Sequence, residues 1–227
     1  MQYYETINAE VHRRLGRSHS ARLLVWSCDQ QEYIEQEKVG NWPTVGEKLG
    51  AAAQVLEAAG CEGLLIACNS VHQGYERAQS AVSVPILHIS EVAADALLAR
   101  GLRRIALFGT LFTCHAESYM MERLERRGLE VVLAPEPERA ELHDIIFEEL
   151  TLGVVSEGSR RRFGEMLRAS SEEGEVDAVL LACTELAMLE PCLQPGVGEA
   201  QGGPPLLDTA QLHAMAAVDF MLSVKGS

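Results

Sequence analysis

The sequence predicts an α/β protein made of two similar lobes, each a parallel sheet flanked by helices. Helical and strand patterns alternate along most of the chain, as they do in proteins with parallel sheets. One unit occurs twice, because GLLIACNS (63–70) and AVLLACTE (178–185) both give a buried strand, an Ala-Cys pair and polar residues where a helix should begin. A second matched pair follows, PILHISEVAADAL from Pro85 and PLLDTAQLHAMAA from Pro205. We therefore assign residues 1–97 and 208–227 to lobe 1, and 98–207 to lobe 2.

The individual elements follow from hydrophobic periodicity and from glycine stop signals. Apolar residues at helical spacing from Tyr4 to Leu15 predict a helix that ends at Gly16. Further helices are predicted at 45–59, 117–127, 138–152, 156–169 and 210–222, and a flexible loop at 196–204. Strands are predicted at 23–26, within the apolar run 21–26, and at 63–67, 84–89, 104–108, 129–133, 176–182 and 205–207.

The two halves differ at their start. Lobe 2 opens with a strand and a turn, RIALFGTLFT (104–113), whereas lobe 1 opens directly with its first helix. The symmetry of the repeat therefore predicts that the first strand of lobe 1 is missing and that its sheet has one strand fewer. We expect the vacancy beside 23–26 and 63–67, whose apolar side chains should be unusually open.

The composition of the chain argues against several classes of binding partner. The formal net charge of −14 argues against nucleic acid, whose binding relies on clustered Lys and Arg. No apolar run approaches the roughly 20 residues of a membrane span, and the start has no signal-peptide core. The cysteines, at 28, 61, 68, 114, 183 and 192, form no CxxC pair. We interpret them as free thiols in a cytoplasmic protein rather than as a disulfide framework or a metal site.

The repeat places Cys68 and Cys183 at the carboxyl ends of strands, where open α/β sheets bind their ligands. A thiol near a helix N-terminus has a lowered pKa, and the backbone N–H groups of the same turn can hold a carboxylate. Asn69, Ser70 and Thr184 add short side-chain donors beside them.

Two thiols facing each other across a cleft suit the removal of a proton from one face of a carbon and its return to the other. A lone cysteine at a strand end is more often a small buried hydrophobe, but the duplication favours a chemical role for this pair. His72 and Glu185 are candidate auxiliary residues. A helix-face histidine and an acid that only complements a helix dipole are the alternative interpretations.

Cofactors are disfavoured by the motifs that the sequence lacks. A pyridoxal phosphate racemase needs a buried lysine, and the lysines here, at 38, 48 and 225, lie in polar or terminal surroundings. The nucleotide-binding patterns GxGxxG and GxxxxGK[ST] are absent. The sequence therefore predicts chemistry without a cofactor.

At its two cysteine motifs the chain resembles the aspartate/glutamate racemase superfamily, in particular the cofactor-independent aspartate racemases. The similarity extends over YYETINAEVHRRLG, HSARLLVWSCD, ACNSVH, PILHI, RIALFGTLFT, DIIFEEL, ACTEL and DTAQLHAMAAVDFML. It implies a homodimer that racemises aspartate, glutamate or both, with Cys68 and Cys183 as the catalytic thiols. It further implies that Asn69, Ser70, Thr113 and Thr184 contact the substrate.

Two alternatives remain open. The first is another member of the superfamily, of the maleate isomerase or hydantoin racemase type, which also uses paired cysteines. The second is an inactive protein that binds acidic metabolites, because relatives begin with a strand and a Gly-Gly-Met turn that this sequence lacks.

Overall fold

The computed structural model describes residues 2–172, 176–189 and 204–224, and these divide into two compact units. The first unit comprises the described residues of Met1–Val92 and Ala210–Ser227, and the second comprises those of Ala93–Thr209. No helix within these residues is both long and apolar enough to cross a bilayer.

The first unit surrounds a short parallel sheet with helices. Its strands are β1 (Leu64–Leu65) and β2 (Ile86–Leu87), paired in register as Leu64↔Ile86 and Leu65↔Leu87. Its helices are α1 (Gln2–Leu15), α2 (Gln30–Lys38), α3 (Trp42–Ala58), α4 (Tyr75–Ser80), the start of α5 (Ile89–Ala99), and α9 (Thr209–Val224), which begins one residue before the unit boundary. Burial of Ile7 and Val11 against Ala214 and Val218 joins α1 to α9.

The second unit contains a four-stranded parallel sheet in the order β4-β3-β5-β6. The strands are β3 (Arg104–Gly109), β4 (Glu130–Leu133), β5 (Ala178–Ala182) and β6 (Leu206–Asp208), and the helices are α6 (Tyr119–Arg126), α7 (Glu136–Glu148) and α8 (Glu157–Glu172). Every residue of β5 is buried, as expected for an inner strand of a parallel sheet. The core here includes Phe108, Phe163 and Leu181.

Most predicted elements are present, with ends that differ by a few residues. Gly16 ends α1 in the left-handed region, at φ 70°, which glycine adopts without a steric cost. The helix predicted at 138–152 ends at Glu148, and a 3₁₀ turn (Leu150–Leu152) follows it. Helix α2 was not predicted, because its sequence QQEYIEQEK has a weak apolar periodicity. The predicted loop at 196–204 lies outside the described residues except for Pro204.

The strand predicted at 23–26 is wrong. This segment has no regular structure, and Leu24, Val25 and Trp26 are exposed. Its counterpart by the repeat is β4, which pairs with β3 alone. The described residues of the first unit contain no counterpart of β3, so 21–26 lacks a partner for its backbone hydrogen bonds.

The two sheets therefore differ by two strands within the described residues, two against four, rather than by the one expected. The predicted exposure is present at Leu24, Val25 and Trp26. Along 63–67 it is limited to Ala67, because Leu64 is buried and Leu65 is half-buried.

Candidate active site

The first cysteine motif is a tight turn between β1 and α4. Cys68 lies three residues after β1 and is partly buried, and a 3₁₀ helix (Ser70–Gly74) follows it. The sequence suggested an α-helix at this point, but the regular helix begins only at Tyr75. The Cys68 Sγ lies 3.6 Å from the Ser70 Oγ, within hydrogen-bonding range for sulfur. Asn69, between them, is 3 % exposed.

His72 holds the backbone of Cys68. Its Nδ1 lies 2.7 Å from the Cys68 carbonyl oxygen, and the Ile89 N–H donates to its Nε2 over 3.4 Å. Since a carbonyl only accepts, Nδ1 carries the proton and the ring is neutral. Burial lowers the pKa of His72 well below the ordinary value, and His88 and His213 lower it further. His72 is therefore placed to orient the cysteine through its main chain rather than through its thiol.

Two further histidines lie around His72. Its ring centroid is 4.9 Å from that of His88 and 6.0 Å from that of His213. The His213 Nε2 lies 2.9 Å from the Leu87 carbonyl oxygen, while its Nδ1 lies 3.0 Å from the Tyr3 hydroxyl. Burial lowers the pKa of His213 to about 4. The cluster therefore ties α1, α9 and the end of β2 to the turn that carries Cys68.

The second cysteine motif couples its thiol directly to a carboxylate. Cys183 follows β5, is 7 % exposed, and caps a 3₁₀ helix (Thr184–Met188). Its Sγ donates to the Glu185 Oε2 over 3.1 Å, and the Thr184 hydroxyl donates to the same oxygen over 2.6 Å. Glu185 thus does more than complement a helix dipole, because it is the hydrogen-bond acceptor of this thiol.

A second turn lies beside Cys183 in the same sheet. Gly109 at the end of β3 pairs in register with Ala182, so Thr110 and Cys183 are the next residues on neighbouring strands. A Cβ at Gly109 would lie 2.9 Å from the Ala182 carbonyl oxygen, which explains why this strand end needs glycine. The turn that follows carries Thr113, which is 1 % exposed.

The hydroxyls of Thr110 and Thr113 are buried, and neither has a hydrogen-bond partner among the described residues. Buried hydroxyls are normally satisfied, so two such groups beside a thiol suit a polar ligand. Thr113 was singled out from the sequence, whereas Thr110 was not. Only the pairing of β3 with β5 indicates that Thr110 borders Cys183.

Cys114 belongs to the packing of this turn. It is 1 % exposed, and burial raises the pKa of its thiol to about 12. A thiol with such a pKa is a poor base at neutral pH. Cys114 therefore fills space in this turn.

Each unit therefore assembles its own set of predicted site residues. The first unit groups Cys68, Asn69, Ser70 and His72, and the second groups Cys183, Thr184, Glu185 and Thr113. A family model of Asp/Glu/hydantoin racemases matches residues 1–217.

The chain belongs to the Asp/Glu/hydantoin racemase family. A candidate Asp/Glu racemase from Yersinia pestis is similar at 32 % identity and a TM-score of 0.85, with 97 % of this chain and 93 % of that chain covered. An aspartate racemase homologue from Pyrococcus horikoshii is similar at 27 % identity and a TM-score of 0.80, with the same coverage. A glutamate racemase from Aquifex pyrophilus, at 18 % identity, a TM-score of 0.60 and coverage of 95 % and 79 %, shares the fold.

Membership of this racemase family accounts for the duplicated architecture that the sequence predicted. The chain is an α/β protein with parallel sheets flanked by helices, as in the two-lobed racemase fold. Within that repeat, the two cysteine motifs bring a thiol into contact with a hydroxyl or carboxyl group.

Proposed function

We propose that this protein racemises an acidic amino acid, aspartate or glutamate, by a two-base mechanism in which Cys68 and Cys183 act on one α-carbon. The observation that carries the proposal is the duplicated thiol. Each cysteine follows a strand of its unit, and each contacts a polar side chain that can exchange or hold a proton.

The proposed reaction begins with Cys68 as thiolate and Cys183 as thiol. We assign the roles in this way because the Cys183 Sγ donates to Glu185, and donation requires the S–H form. The Cys68 thiolate takes the α-proton, so that the C–H bond breaks and an S–H bond forms. The electron pair left on carbon is delocalised into the substrate carboxylate, and Cys183 then delivers its proton to the opposite face. In the reverse direction the two thiols exchange roles.

Substrate carboxylates would be held by short uncharged donors. The hydroxyls of Thr110 and Thr113 are buried beside Cys183 with no hydrogen-bond partner in the described part of the chain, which suits a carboxylate oxygen. Asn69 is the corresponding donor beside Cys68. The Ser70 and Thr184 hydroxyls would contact the substrate after they turn from Glu37 and Glu185, to which they hydrogen-bond in this structure. Negative charge that develops in the transition state is best stabilised by such preorganised dipoles.

We further propose that the protein needs no bound cofactor and works as a homodimer in the cytoplasm. The residues invoked in the mechanism supply both the acid and the base themselves. The described cysteines are free thiols, as expected in a reducing compartment.

The test is incubation of the protein with L-aspartate and with L-glutamate in D₂O, followed by chiral chromatography and mass spectrometry. The proposal expects the D-enantiomer to appear with one deuterium at its α-carbon. Maleate and a 5-substituted hydantoin, run in parallel, separate the other activities of this superfamily. Turnover of one of these with neither amino acid racemised, or binding of aspartate without deuterium uptake, would refute the proposed substrate class.

A further inference from the structure

Glu37 is a buried carboxyl group that the mechanism above does not use. It lies on α2 and is 5 % exposed, whereas Glu32 and Glu35 on the same helix face solvent. Its Oε1 has no hydrogen-bond partner among the described residues. Burying a carboxyl group costs several kcal/mol unless it is paired or protonated, so its position calls for an explanation.

The Ser70 hydroxyl connects this carboxyl group to the first thiol. Ser70 hydrogen-bonds the Glu37 side chain, and its Oγ is also 3.6 Å from the Cys68 Sγ. Tyr33, one helical turn before Glu37, packs in one cluster with Val71 and Cys68. The inner face of α2 is thus held against the cysteine motif, and the thiol, hydroxyl and carboxyl groups form a continuous chain.

Two charged residues of α3, the helix packed against α2, are engaged in ion pairs elsewhere. On α3, Lys48 pairs with Glu32 and Glu47 pairs with Arg77, all at the surface. His72, on the same 3₁₀ helix as Ser70, has its pKa lowered by burial. Burial raises the pKa of Glu37, and the Ser70 hydrogen bond only partly opposes this. The carboxyl group is therefore closer in proton affinity to a thiol than an exposed glutamate would be.

The second unit reaches the same arrangement by a shorter route. The residue two positions after Cys183 is Glu185, which contacts the thiol directly, and the residue two positions after Cys68 is Ser70. The first unit therefore has a hydroxyl group, that of Ser70, where the second unit has the carboxyl group of Glu185. The Ser70 hydroxyl in turn hydrogen-bonds the carboxyl group of Glu37 on α2. Each thiol therefore has one carboxyl group coupled to it.

We infer that Glu37 is a positioning residue for Cys68. Glu37 takes up the proton of the Cys68 thiol by exchange through the Ser70 hydroxyl. The inference rests on the proposed two-base function. In one state the Cys68 S–H donates to Ser70 and the Ser70 O–H donates to the Glu37 carboxylate. As the S–H bond breaks, an O–H bond forms on Ser70, and the former Ser70 proton forms an O–H bond on Glu37. The products are a thiolate and a neutral carboxylic acid, so the total charge is unchanged.

This exchange gives Cys68 the thiolate form that the first proton abstraction requires. It also predicts that the two groups titrate as a pair with shared pKa values. When the pair has lost one proton, it is a mixture of two forms. One has a Cys68 thiol and a Glu37 carboxylate, and the other has a Cys68 thiolate and a neutral Glu37 carboxylic acid, so some thiolate is present at neutral pH. Without Glu37 the thiol has no carboxyl group with which to share a proton, so one of the two steps should disappear.

The experiment measures the rate of Cys68 alkylation by iodoacetamide from pH 5 to pH 10, using mass spectrometry of the peptide that carries Cys68. The parent protein should show two rises separated by a plateau. In Glu37→Gln the plateau should fall at least tenfold and one rise should remain. Ser70→Ala should match Glu37→Gln, whereas Ser70→Thr, which keeps the hydroxyl, should restore the plateau. Glu35→Gln, on the exposed face of the same helix, should match the parent.

An unchanged plateau in folded Glu37→Gln would overturn the inference. If that variant does not fold, Ser70→Ala decides alone, and retention of its plateau would overturn the inference equally. The alkylation rate needs no substrate. A protein that racemises nothing but shows the plateau would therefore refute the proposed function and leave the proton exchange standing.

Discussion

At the scale of single residues, side chains that hold the backbone of the site are as informative as the thiols. His72 binds the Cys68 carbonyl, and His213 binds the Leu87 carbonyl at the end of β2. Both rings are buried and neutral, which is favourable only while they remain unprotonated. This part of the fold should therefore be sensitive to acid.

His213→Gln tests this sensitivity. Burial lowers the pKa of His213 from 6.5 to about 4, so the unfolded chain binds the extra proton between these values. The free energy of unfolding should consequently fall as the pH drops from 6.5 toward 4. The fall due to this residue is roughly 2 kcal/mol at pH 4.5. Urea unfolding at pH 7 and at pH 4.5 measures how much the free energy of unfolding decreases between the two. That decrease should be smaller in His213→Gln than in the parent protein, by this amount. His19→Gln, at an exposed position, should show the same decrease in the free energy of unfolding as the parent protein. If His213→Gln showed the same decrease as His19→Gln, the assignment would be contradicted.

Sequence patterns located the residues that lie within the repeated motif and missed those that reach it from elsewhere. Cys68, Ser70 and Cys183 stand out because the same short pattern occurs twice. Thr110 is identified only by the pairing of Gly109 with Ala182, and Glu37 only by the packing of α2. Neither contact has a local sequence signal, because each depends on which elements become neighbours in three dimensions.

At the scale of elements, α3 approaches the turn that carries Cys68 unusually closely. A Cβ at Gly46 would lie 2.8 Å from the Gly74 carbonyl oxygen and 2.8 Å from the Arg77 Cβ. Gly74 ends the 3₁₀ helix that contains Ser70 and His72. A larger residue at 46 would therefore push α3 away from the site.

Two glycine-to-alanine variants in helices distinguish the effect of this close contact from the effect of alanine's higher helix propensity. Gly46→Ala should lower the free energy of unfolding by about 1–3 kcal/mol, because the backbone must move. Gly164→Ala, in α8, meets no atom within 4 Å and should raise it by about 0.5–1 kcal/mol. Urea denaturation measures both. A neutral Gly46→Ala would show that the close approach of α3 is not required.

The segment at 21–26 shows why a strand pattern alone does not make a strand. Ala21 and Leu23 pack against the cluster that contains Ile7 and Val11, so the alternation in the sequence is real. Among the described residues no strand pairs with this segment, and Val25 on its other side is 75 % exposed. A strand requires a partner, and periodicity cannot report whether one is available.

Replacement of Leu24, Val25 and Trp26 by Ser, Thr and Ser should reduce association without loss of stability. Exposed apolar segments promote contact between molecules, and exposed positions contribute within about 0.5 kcal/mol to unfolding. Light scattering against concentration should show weaker association at an unchanged urea midpoint. Leu23→Ser, on the packed side, should instead lower the midpoint. A triple variant that unfolds as readily as Leu23→Ser would contradict the assigned orientation.

At the scale of the whole molecule, the two units repeat one chemical plan with different parts. Each has a strand, a cysteine and a hydroxyl residue, and each couples its thiol to a carboxyl group. The duplication was readable from the sequence because strand, Ala-Cys and turn recur in order. The difference between the sheets was only partly readable, since the described residues of the first unit contain no counterpart of β3 and 23–26 therefore does not pair as a strand.

The account depends most on the claim that the two thiols act on opposite faces of one carbon. Cys68→Ala and Cys183→Ala, incubated separately with L- and D-substrate in D₂O, test it directly. Each variant should lose racemisation yet exchange the α-proton of one enantiomer, and the two variants should retain opposite enantiomers. Cys61→Ala, outside both motifs, should racemise at the parental rate. Racemisation by Cys68→Ala at the parental rate, or retention of the same enantiomer by both variants, would contradict the mechanism.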